Sequence, residues 1–231
     1  MRHLFSCFLL LIASYGCTSY RFAAIGENND YVPKKKYRIS TLTIHAPRGP
    51  KILQQLSGGN PFVAPDPWSI PQVASISNIE KLRLMVSKRH PSIFTQDESA
   101  TPIDVNVYCT DERKELEWTI LVPYVASLGV LPAFIRTMST CEVSVHHAGA
   151  IPKIQRNAAM RLQSDAKLTC FSPLGLIQFD RDVNATSQRL SSGIMTASHL
   201  DSNTLNDLLT VFSESVADAI VAQVEMLEKK D

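Results

Sequence analysis

Over residues 204–227 an apolar side chain recurs every three or four positions: Leu205, Leu208, Leu209, Phe212, Val216, Ala219, Ile220, Val224 and Leu227. At 3.6 residues per turn these fall on one side of a helix of about six turns. A stripe of that length needs an apolar surface to cover, because a helix gains most of its stability from packing rather than from propensity. The spacing predicts Thr204 as its cap with Asp207 at the third helical position, and Lys229 and Lys230 complement the dipole at its end. The surface it would cover is a sheet, with a partner protein or a second copy as the other possible use of the face.

The rest of the chain supplies such a sheet. Hydrophobic residues make up 45% of the 231 residues and charged residues 19%, which suffices for one buried core and excludes a disordered chain, a collagen-like repeat and a disulfide-dense miniprotein. Tyr37 to Ile44 is rich in β-branched residues and reads as the first strand. Between Pro47 and Gln72 six prolines and three glycines define a long irregular segment, which in a domain of this size is either a functional loop or simply mobile. Trp68 sits within it and is the candidate partner-binding residue. A helix is predicted from Ser77, which has capping-box spacing to Glu80, with Ile79, Leu82, Met85 and Val86 on one face and Pro91 stopping it. Ile103 to Cys109 and Leu116 to Val122 read as a hairpin around a charged turn at 110–115, and Thr140 to His147 as a further strand. The segment 152–175 is ambiguous between helix and strand, a short strand is placed near Leu176 to Phe179, and 187–198 reads as loop.

Trp118 to Ile135 is a run of 18 residues without a charge. Its length would allow a membrane span. Pro123, Gly129, Pro132 and the strand-like start favour a buried strand, a turn at 127–129 and a second apolar run.

The N-terminus carries the most specific signal. Arg2 provides a positive charge, Leu4 to Ala13 an apolar run of secretory length, and the run ends at Gly16-Cys17. This resembles the leader of a bacterial lipoprotein. The resemblance implies cleavage before Cys17, diacylglycerol on its sulfur and acylation, commonly by palmitate, of the new amino terminus. Two positions depart from the pattern: Ser14 stands where leucine is usual, and Tyr15 follows it. A plain secretory leader cut after Ser14 or Gly16 is the alternative. Several acyl chains on one residue give stable membrane attachment, which a single chain does not. Thr18, rather than aspartate, follows the cysteine, and in such lipoproteins this implies the outer membrane over the inner. The expected organisation is a signal peptide at 1–16, a lipidated N-terminus and tether at 17–36, and one domain at 37–231.

Lys plus Arg number 23 against 22 Asp plus Glu. That balance gives no electrostatic reason to expect a nucleic-acid partner. Of the five cysteines, Cys7 leaves with the leader and Cys17 is the lipidation candidate. Cys109 and Cys141 each fall in a predicted strand and are the pair best placed for a disulfide if those strands are neighbours. The reading adopted is that they and Cys170 are small buried thiols. His146 and His147 adjoin on a strand and therefore point to opposite faces, so no metal is expected there. Ser164 and Lys167 match the Ser-x-x-Lys element of penicillin-binding enzymes without the accompanying Lys-Thr-Gly, a match chance alone supplies. Asp180 and Asp182 lack a calcium-loop context, and Asn184-Ala-Thr186 is a sequon in form only.

These elements predict an α+β fold, a mainly antiparallel sheet with two helices on one face and a long C-terminal amphipathic helix. Beyond the leader, the layout is loosely similar to auxiliary lipoproteins of envelope transport systems. The expectation is a lipid-anchored, periplasm-facing binding or structural domain without enzymatic activity, cofactor or metal, its partners the membrane and another envelope protein. An auxiliary subunit of an envelope transport complex, contacted through Trp68 and the terminal helix, and a secreted hydrolase are the alternatives.

Overall fold

Tyr37–His45 forms a strand as its composition predicts, but its alternation carries a phase shift. Tyr37 and Ile39 are buried, then Leu42 rather than Thr41. The register against the next strand skips Ser40, so one bulged residue returns the apolar side chains to the core face. The computed structural model describes residues 17–25, 31–46, 70–116, 126–127, 133–149, 158–169, 187–193 and 202–229. In chain order they form β1 (Cys17–Ile25), β2 (Tyr37–His45), α1 (Ile70–Ile76), α2 (Ile79–Arg89), β3 (Thr101–Leu116), β4 (Ala133–His147), β5 (Ala158–Thr169), β6 (Ser187–Gly193) and α3 (Ser202–Glu228).

The strands make one sheet in the order β2-β3-β4-β5-β1-β6. Every pairing is antiparallel except β2 with β3. Parallel neighbours need a crossover between them, and the segment holding α1 and α2 is that crossover. The α+β class is therefore as predicted, with one parallel pair that strand composition does not reveal.

Three helices rather than two pack on the sheet. α3 lies along β1, β4, β5 and β6, and α1 and α2 contact it in turn. Covered from two sides, its middle is buried around most of its circumference: Ser215, Val216 and Ala217 are consecutive and all buried. The Ser213 and Ser215 hydroxyls are tolerated there because they donate to the carbonyls of Thr210 and Val211. The stripe is buried inside the domain. α3 begins at Ser202, which leaves Thr204 buried in its first turn rather than capping it.

Other boundaries move for local reasons. α2 is capped by Asn78, whose side chain accepts from the Lys81 amide at 3.1 Å. Ser77 instead closes α1 by bonding the Val73 carbonyl. β3 runs straight through the charged stretch read as a turn. Its residues to Leu116 pair with β4, with one irregularity between Asp111 and Arg113, because paired backbone satisfies the strand whatever the side chains carry. Residues 117–125 and 128–132 lie outside the described residues, as do 47–69 and 170–186. Ala133 to Ile135 already belong to β4. Among the described residues no helix is long and apolar enough to cross a membrane. Residues 187–193, read as loop, form the edge strand β6.

The two ends of the described fold meet at Glu228. Its carboxylate accepts from the Tyr31 hydroxyl at 2.6 Å, the Tyr37 hydroxyl at 2.7 Å, the Lys34 amide at 3.0 Å and the Lys35 amide at 3.3 Å. Burial pushes this carboxyl up. The amide and phenol donors together outweigh that and bring it down to about 2. The same bond from its side holds the Tyr31 phenol up at about 12, helped by burial and by the charges of Glu228 and Glu225.

Candidate functional site

The segment expected to be a tether begins as a strand in the body of the sheet. β1 pairs with β5 on one side, from Cys17 opposite Thr169 to Ile25 opposite Arg161, and with β6 on the other. Phe22 and Ala24 enter the core cluster, and Ala23 is fully buried as well. Four consecutive buried positions, 21–24, contradict a solvated linker. The apolar Phe-Ala-Ala triplet behind Tyr20 is the signal that could have revealed the strand. The domain therefore includes 17–25, and what remains of the expected tether is short. The segment 31–36 is itself bound to Glu228.

β1 is fixed by a buried ionic row across three strands. Arg21 lies opposite Asp165, which lies opposite Arg136. Asp165 accepts from Arg21 Nε at 2.9 Å and again from an Nη of the same guanidinium, from Arg136 Nε at 2.8 Å and from Gln163 Nε2 at 2.7 Å. Arg21 is 2% exposed. A buried carboxylate held by two guanidiniums and an amide is an interaction that fixes strand register, since a slip of one residue would leave charges buried and unpaired. Nothing in the arrangement offers an open coordination position or a nucleophile.

Cys17 stands at one end of this sheet. Thr18, Leu168 and Ala133 are neighbours in register there, and Leu116, the last described residue of β3, lies opposite Ile135 at the same end. Among the described residues the backbone pairing of β1 runs from Cys17 to Ile25. A chain beginning at Cys17 would keep these pairings.

The other residues singled out in the sequence do not converge on it. Cys109 and Cys141 are register neighbours on β3 and β4 and form a disulfide, with a Cα–Cα distance of 4.0 Å. This corrects the reading of both as free thiols. Two strand assignments alone could not show that the strands pair. The bond is buried on the core face, Cys141 fully. Trp68 and Cys170 lie outside the described residues, and so do Asp180, Asp182 and Asn184. His146 stands opposite Asp104 with Nε2 3.3 Å from the Ser144 hydroxyl, whereas His147 stands opposite Ile103. Among the described residues no three His, Cys, Asp or Glu side chains gather to hold a metal. Ser164 is buried opposite Phe22, and Lys167 lies three positions on along the same strand.

Compared with known protein families and with curated protein sequences, the chain matches none.

Proposed function

We propose that this chain is an exported, lipid-anchored envelope protein, acylated at Cys17, whose α+β domain serves as a non-enzymatic binding or structural module on the periplasm-facing side of the membrane. The observation that carries the reading is the buried Cys109–Cys141 disulfide. Structural disulfides persist in oxidising compartments and are rare in the cytosol of mesophiles, which agrees with an export leader at 1–16. A chain cleaved before Cys17 would keep every described pairing of β1, from Cys17 to Ile25. The outer membrane follows from Thr18 by resemblance alone.

The test is mass spectrometry of the protein extracted from membranes. The expected result is an N-terminal peptide that begins at Cys17 with added acyl mass, and loss of membrane association in Cys17→Ser. An unmodified N-terminus near residue 15 or 17 would overturn the anchor while leaving export in place. A full-length chain with reduced Cys109 and Cys141 would overturn both.

A further inference from the structure

At the other end of the sheet the Ser40 bulge helps to shape a cavity of about 140 Å³, lined by Arg38, Ser40, Arg83, Ser87, Thr95 and Gln96. It sits between the edge strand β2, the side of α2 and the short stretch after Phe94 that bridges to Tyr37. One water needs only about 10–15 Å³ of such space, so the cavity has room for a small polyatomic group. Arg38 and Arg83 both line it, and among the described residues none that lines it is acidic.

The two arginines differ in what already occupies them. Arg83 donates from Nη1 to the Ser40 carbonyl at 3.1 Å and pairs through Nη2 with Glu80 at 2.6 Å. The bulge turns that carbonyl outward, and the two contacts hold the Arg83 fork in place. Arg38 has no such contact: its Nε is buried without a hydrogen-bond partner. Buried donors left without an acceptor are rare in folded proteins. The hydroxyls beside it are also unequal. Ser87 spends its proton on the Arg83 carbonyl, while Thr95 accepts from the Asp97 amide and keeps its own proton to donate.

We infer that this cavity is a binding site for a compact oxyanion, a carboxylate or a phosphate group on a soluble molecule. It would be taken by the terminal N–H groups of the Arg38 guanidinium. Arg83 faces it with a second positive charge, and the Thr95 hydroxyl supplies a neutral donor. Arg38 lies opposite Pro102 at the start of β3, and Cys17 lies at the level where β3 ends. The separation is on the order of 45 Å along the strands. The inference itself stands on the cavity and does not depend on the anchor.

The experiment is titration of the ¹⁵N-labelled full chain in neutral detergent, following arginine Nε–Hε resonances, with Arg38 assigned by its loss in Arg38→Gln. The probes are inorganic phosphate, acetyl-dialanine as the free acid and as its amide, sodium chloride at matched ionic strength, and phosphatidylcholine vesicles containing phosphatidylglycerol. The expected result is a saturable Arg38 shift with phosphate or with the free acid, absent with chloride and amide. The affinity should weaken about tenfold in Arg83→Gln. Whichever of the two saturates identifies the source. No saturating shift with either would overturn the inference and leave water as the occupant, as would a shift that Arg83→Gln does not weaken. A shift produced by the vesicles alone would overturn the soluble source. Arg83 is a third exposed, so its variant reports even if Arg38→Gln does not fold.

Discussion

Replacing Glu228 by glutamine removes a charge and little volume, and the consequence can be worked from its surroundings. The carboxylate receives two phenol and two amide hydrogen bonds that join residues 31–37 to the end of α3. Its folded value of about 2 lies below the ordinary 4.5. The group therefore stabilises the fold at pH values above its unfolded value, and this contribution fades as pH falls from about 4.5 toward 2. A shift of that size corresponds to an upper bound of about 3 kcal/mol. The helix end is partly open to solvent, which reduces the expected loss in Glu228→Gln to about 1–2 kcal/mol at neutral pH. Urea unfolding of the native and variant proteins, at neutral pH and again near pH 3, measures it. The two proteins should differ at neutral pH and converge in acid. A difference that is the same at both pH values would refute the reasoning, because a packing defect does not titrate.

Reduction of the Cys109–Cys141 bond, or its replacement by two alanines, opens a crosslink of sequence separation 32. On the chain-entropy account this costs about 3–4 kcal/mol, and denaturant unfolding with and without reductant should show a lower midpoint. An unchanged midpoint would mean that β3 and β4 are held in the unfolded chain by something else. Asp165→Asn should destabilise by about 3–5 kcal/mol by leaving Arg21 buried without its carboxylate. The pair Arg21→Met with Asp165→Leu should recover much of that loss in thermal melts, and additive losses would argue against the pairing. Together with the Cys17 and Arg38 experiments, these perturbations separate anchor, frame and cavity.

What the sequence conveyed came from periodicity, and what it withheld came from pairing. The α3 stripe and the apolar face of Ile103, Val105, Val107 and Cys109 repeat at the period of one element and appear as read, whereas β2 forms a strand with a bulge that its composition does not show. The tether was misread because polar residues around Tyr20 outweighed a short apolar run, and β6 because Ser187–Gly193 has no periodic signal at all. An edge strand can be polar, since its hydrogen bonds to β1 do not depend on side-chain type.

The candidate residues divide in the same way. The sequence by itself determined the α+β class and the existence of the long terminal helix, both local properties of contiguous residues. Only the tertiary structure decided that Cys109 meets Cys141, that Arg21 is buried against Asp165 across 144 residues, and that Glu228 ties down Tyr31 and Tyr37. It also decided that Arg38 shares a cavity with Arg83. Each of these couples positions far apart in the chain, and their proximity follows from sheet order and register, which local propensity does not encode.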